Sequence, residues 1–126
     1  MDLLEPTRIY VKPVLKLLEQ VPVKGLAHIT GGGVVGNVPR VLPNNLVAKI
    51  EKSAWPRPAV FQWLQQTGNV AEDEMWRTFN CGIGMVLVVA REHAAPAKAL
   101  LEREGERVFE IGAVEKSSGE PDAVIV

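Results

Sequence analysis

Residues 84–90, GMVLVVA, constrain this chain more than any other stretch. The run is almost wholly apolar and rich in valine. A strand with one face in water alternates apolar and polar residues, whereas a continuous apolar run of this length fits a strand covered on both faces. A chain that contains such a strand must build layers on either side of a sheet. The material is there: 126 residues are one domain's worth, and 47% apolar with 23% charged is ordinary for a globular domain and foreign to disorder.

The other elements follow from periodicity. In VKPVLKLLEQ (11–20), Val11, Val14, Leu15 and Leu18 recur at helical spacing, with Pro13 in the first turn and Pro22 closing the segment. GLAHIT (25–30) and LVAKI (46–50) read as strands. Pro58 opens a second helix carrying Val60, Phe61 and Leu64, which Gly68 ends. Asn69 and Glu72 are spaced like a capping box ahead of Met75, Trp76 and Phe79, and predict a short third helix. Residues 94–104 form the clearest helix, with Ala97, Leu100 and Leu101 on one face and Gly105 as its stop. Val108 to Val114 and Ala123 to Val126 close the chain as strands around the turn SSGEPD. Strands and helices interleave, so the fold class is α+β (mixed α/β), a sheet with helices packed on it.

Several function classes are excluded by composition. A net charge of −1 leaves no basic footprint for nucleic acid or an anionic membrane. The longest apolar run, Met85 to Ala90, is far too short to cross a bilayer. MDLLEPTRIY has no basic region followed by an apolar one, so no secretory signal is read there. A lone Cys81 rules out an internal disulfide and a cysteine-rich metal site, and His28 and His93 are too few for a histidine-based one. The expectation is a cytoplasmic protein with no metal ligands of its own.

The chemistry concentrates in HITGGGVVGNVPRVLP (28–43). Gly31, Gly32 and Gly33 follow a predicted strand. Glycine admits positive φ and leaves its N–H unshielded, and successive N–H groups can converge into an anion-binding nest. The run lacks both GxGxxG and GK[ST], so a tight turn with close strand packing explains it about equally well. Arg40, in a stretch stiffened by Pro39 and Pro43, offers a guanidinium fork to phosphate or carboxylate, though most such arginines are plain surface residues. His28, just before Thr30, can donate to a bound anion or serve as a hydrogen-bonded structural residue. In EMWRTFNCGIGM (74–85), Thr78 and Asn80 can meet a polar ligand, while helix capping accounts for Asn80 without one. Cys81 has no cationic neighbour in sequence and reads as a small buried hydrophobe. Trp55, Trp63 and Trp76 read as core or interface anchors, and EREGER (102–107) as a solvated helix end.

LLEPTRIYVKPVL (3–15), GLAHITGGG (25–33), NVPRVLP (37–43), WLQQTGNV (63–70), EMWRTFNCGIGM (74–85) and IGAVEK (111–116) resemble, in order and over nearly the whole chain, the C-terminal domain of the phosphoribosylformylglycinamidine cyclo-ligase (AIR synthetase) family. HITGGG is shared with a wider superfamily; PTRIYVK and RTFNCGIGM are more specific. The resemblance implies an ATP-dependent ligase of purine biosynthesis, closing formylglycinamidine ribonucleotide to aminoimidazole ribonucleotide with Mg²⁺. It implies that residues 1–10 are a linker remnant and 11–126 the C-terminal domain. The family's N-terminal domain, which supplies most ATP and metal contacts and the homodimer contact, is then a partner, and the isolated chain is expected to be inactive. The resemblance also places Thr30 to Gly33 at the interdomain cleft, holding the ribonucleotide 5′-phosphate or a phosphate of ATP. His28, Arg40, Arg77, Thr78 and Asn80 are further candidates for that site. Two alternatives stay open: a sibling enzyme (formylglycinamidine ribonucleotide synthetase, or a selenophosphate- or thiamine-phosphate-type kinase), and a stand-alone non-catalytic binding or assembly module.

Overall fold

The computed structural model describes residues 8–126. The chain runs α1 (Val11–Gln20), β1 (Val23–His28), α2 (Gly33–Asn37), a 3₁₀ turn (Val38–Val41), β2 (Leu46–Ile50), α3 (Ala59–Gly68), α4 (Glu72–Thr78), β3 (Met85–Val89), α5 (Ala94–Arg103), β4 (Gly112–Lys116) and β5 (Asp122–Ile125). The α+β class holds. The expected single sheet is instead two: β1 and β3 form an antiparallel pair, while β2 sits between antiparallel β4 and parallel β5.

The packing has two centres. The larger joins both sheets to α2 and α4 through Ala27, Val34, Ala48, Ile50, Trp55, Met75, Trp76 and Ala123. The smaller holds α1 against α5 through Leu17, Val21, Ala97, Leu100 and Leu101. β3 serves both: Val86 and Val88 pack on the first, Leu87 and Val89 on the second. The layers expected on either side of this strand are therefore present. Each of its residues nevertheless keeps partial exposure.

Other expectations need correction. Asn69 does not cap α4. It ends α3 in the left-handed conformation, φ 51°, with its N–H on the Gln65 carbonyl, and Ala71 precedes α4 instead. An Asn after a helix satisfies αL as readily as it caps the next one, and here the C-terminal role wins. β1 begins and ends two residues earlier than GLAHIT suggests, and β4 starts at Gly112 rather than Val108. Trp55 and Trp76 are core residues, but Trp63 is exposed. The 102–107 segment is only partly solvated: Glu104 pairs with Lys16 at 3.0 Å and Glu106 with Arg8 at 3.2 Å, and both carboxylates are mostly covered. Within it α5 stops as predicted, Gly105 at φ 91° closing a Schellman pattern with Glu106 N–H on Leu101 O. Of the expected linker, residues 1–7 lie outside the described residues; Arg8 and Tyr10 are attached to the domain.

Candidate functional site

The glycine run begins where β1 ends and does not remain a loop. Gly32 turns at φ 99°, and Gly33, at φ 63°, is the first residue of α2. A single buried polar side chain organises the turn. Asn37 Nδ2 donates to the carbonyls of Thr30 (3.2 Å), Gly31 (3.3 Å) and Gly33 (2.8 Å), and the Thr30 hydroxyl meets Asn37 Oδ1 at 3.3 Å. These carbonyls are turned onto Asn37. The Gly31 and Gly32 amides make no hydrogen bond among the described residues.

Gly33 differs from its neighbours. Its N–H is bonded to Thr30 O at 3.0 Å, and it is buried against the end of α4. A Cβ there would be driven into the Trp76 carbonyl oxygen and come within 2.8 Å of Phe79 O. Gly31, in contrast, is exposed with nothing within 4 Å of a Cβ, and its φ lies outside the left-handed range. The run thus holds a packing glycine and, before it, two amides without a partner among the described residues.

The floor under Gly33 is α4, and α4 is braced. The Arg57 guanidinium lies over the Trp76 ring at 4.8 Å and donates to Gln65 Oε1 at 2.7 Å and to Glu72 Oε1. Gln65 Nε2 donates to Glu72 Oε2 at 2.8 Å. The Arg57 hydrogen bond, then that from Gln65, holds the Glu72 carboxyl below its ordinary range. Trp76 meets Trp55 edge to face at 5.7 Å, and Trp55 Nε1 donates to Cys81 O at 3.0 Å. Cys81 is fully buried, and burial pushes its thiol up, which suits the small-hydrophobe reading and removes a nucleophilic one.

The remaining candidates sit as follows. His28 is exposed at the end of β1, edge-on to Tyr10 at 6.1 Å. Arg40 is exposed on the 3₁₀ turn that follows α2, without an ion pair among the described residues. Arg77 is exposed and 3.8 Å from Glu74. Thr78 is exposed at the last turn of α4. Asn80 Oδ1 accepts from Gly82 N–H at 2.8 Å, a local turn rather than a cap of α4, whose last position belongs to Phe79. The structure brings the backbone of 76–79 against Gly33; among the described residues no hydrogen bond joins Arg40 or His28 to the glycines. Sequence reasoning missed Asn37, Arg57 and Tyr10. Asn37 had a visible signal, a polar residue inside an otherwise apolar stretch. Arg57 and Tyr10 had none, because their partners lie far along the chain.

An open hollow of about 440 Å³ lies elsewhere, on the three-stranded sheet beside Lys49, Glu51, Glu110 and Glu115. Its three carboxylates to one lysine make it unsuited to an anion. Among the described residues no three His, Cys, Asp or Glu side chains converge on a metal position, and no helix is long and apolar enough to cross a membrane.

These features define an α+β domain in which two successive glycine amides at one turn have no partner among the described residues. The chain belongs to the family described as AIR synthase related protein, C-terminal domain, whose model matches residues 2–122. It is similar to proteins named phosphoribosylformylglycinamidine cyclo-ligase. That of Chromobacterium violaceum is 63% identical over 114 residues, covering 90% of this chain and 33% of the relative. Those of Methylobacillus flagellatus and Cupriavidus pinatubonensis are 57% and 56% identical, covering 96% and 98% of this chain and 35% and 36% of theirs. The chain therefore spans about a third of the length of the curated relatives it matches.

Proposed function

We propose that this chain works as the C-terminal part of a phosphoribosylformylglycinamidine cyclo-ligase, a cytoplasmic enzyme of purine biosynthesis that closes formylglycinamidine ribonucleotide to aminoimidazole ribonucleotide. The observation that carries this reading is the relatives' shared name at 63% identity over 90% of the chain. Within that reading Gly31 and Gly32 hold a phosphoryl oxygen, of the ribonucleotide or of ATP, through their uncovered amides, with the Thr30 hydroxyl beside them. Asn37 keeps the flanking carbonyls from facing that oxygen. Arg40 and the Arg77, Thr78 and Asn80 segment line the same cleft, with His28 at its edge.

ATP supplies the phosphoryl group that makes the amide oxygen a leaving group. Among the described residues no group of three His, Cys, Asp or Glu side chains could hold Mg²⁺ on its own, and in this reading the ion is held with the ATP phosphates. Metal ligation, most ATP contacts and the homodimer contact fall to a preceding N-terminal domain. The 126-residue chain, incubated with ribonucleotide, ATP and Mg²⁺, should release no ADP, whereas the longer protein should turn over. Gly31→Asp in the longer protein tests the seat. It adds a negative charge at an exposed position with room for a side chain, so KM for one phosphorylated substrate should rise at least tenfold with the melting temperature unchanged. Unchanged kinetics would remove the glycines from the site. Gly32→Val is a weaker test, because a β-branched residue at φ 99° is strained whatever it touches.

A further inference from the structure

β3 is an edge strand built like an interior one. Among the described residues it pairs only with β1. Both of its faces are packed, Val86 and Val88 on one side and Leu87 and Val89 on the other. Each residue still keeps partial exposure.

The edges of the other sheet look different. β4 carries Glu115 and Lys116, β5 carries Asp122, and Glu115 is ion-paired to Lys49 at 2.9 Å. Natural edge strands are guarded by charge, proline or a bulge. Met85–Val89 has no charge and no proline, and the irregularity in its pairing falls at Val23/Gly25, on β1. Apolar exposure continues at the head of the strand. The Tyr10 hydroxyl rests on Gly84, and Ile9 and Val11 on either side of Tyr10 are 80% and 62% exposed. Leu15 and Leu18 extend the stripe along α1.

We infer that the free edge of β3 receives one more β-strand, supplied by the part of the longer polypeptide outside this chain. The inference rests on the reading above, that this chain is one part of a longer cyclo-ligase, and it says where the remainder attaches. Relatives of which this chain covers 33–36% have ample sequence to provide the strand. A ladder of five residues is too small to hold two separate molecules together against the freedom lost on association. It suffices for a strand tethered in the same chain, where the effective concentration is high.

Hydrogen exchange on the longer protein tests this. All five β3 amides should be protected alike, those facing away from β1 exchanging on the order of 100-fold slower than in the 126-residue chain. An alternating pattern in the longer protein, with every second β3 amide fast, would mean that the edge is free and would overturn the inference. Protection that disappears on dilution to monomer would assign the edge to a second copy and overturn it as well. So would full protection in the 126-residue chain as a monomer. Turnover measured on the same preparation separates the two claims. Protected β3 without cyclo-ligase activity sinks the functional reading alone, and activity with an unprotected edge sinks this one alone.

Discussion

The two halves of one glycine run behave in opposite ways. Gly33 is buried, bonded and wedged against the carbonyls of Trp76 and Phe79; Gly31, two residues earlier, is exposed, and a Cβ placed on it would meet nothing within 4 Å. In one half the absent side chain lets two backbones meet. In the other it leaves amides uncovered. A run of identical residues thus divides a packed position from an open one, and Asn37 is the hinge between them, since its amide holds the carbonyls of both Gly31 and Gly33.

The largest expected effect breaks the packed half. Gly33→Ala combines a clash with backbone atoms and φ 63°, and should cost about 3–5 kcal/mol in denaturant unfolding or abolish folding. A loss below about 1 kcal/mol would erase the distinction between the halves. Next comes the hinge. Asn37→Ala removes the donor that three carbonyls share and should cost about 1–3 kcal/mol in the same measurement. Protease sensitivity near Thr30 should rise with it.

The brace beneath Gly33 should show in pH. Arg57 holds the Glu72 carboxyl below its ordinary range, so the folded form binds that proton less readily than the unfolded chain. The stabilisation is therefore present above the usual carboxylate pKa and is lost as pH falls through the depressed value. Glu72 is half exposed, so the effect should stay below about 1 kcal/mol. Urea midpoints of the parent and Glu72→Gln should converge as pH drops; a constant gap down to pH values below the carboxylate range contradicts the assignment. The smallest effect sharpens the open half: Gly31→Ala should change stability by no more than about 0.5 kcal/mol. A large loss there would show that Gly31 packs against something after all.

Most of the helices were legible because their signals are local. Leu100 and Leu101 lie on the apolar stripe of α5, Pro58 and Gly68 bracket α3, and Gly105 stops α5, each decided within a turn or two of chain; α1 forms where its spacing predicts but turns a different face inward, burying Leu17 and leaving Val11, Leu15 and Leu18 exposed. Asn69 shows the limit of such signals: one residue type suits a helix end and a helix start, and only the backbone angle separates them. The glycine run shows it more sharply. Its composition announced an unusual backbone, yet nothing in HITGGG says that Trp76 would lie against the third glycine and leave the first two open. The family resemblance named the site; it did not divide it.

By itself the sequence determined the α+β class, the positions of every helix but α2, the strand at 85–89 covered on both faces and the family, because periodicity, caps and motifs act over short spans. Only the tertiary structure decided that the strands split into two sheets, that Asn37 and Arg57 hold the turn and its floor, and that β3 has no partner but β1 among the described residues. Those outcomes depend on which distant backbones come within a few ångströms of each other, and close approach is a property of the packed chain that no local pattern encodes.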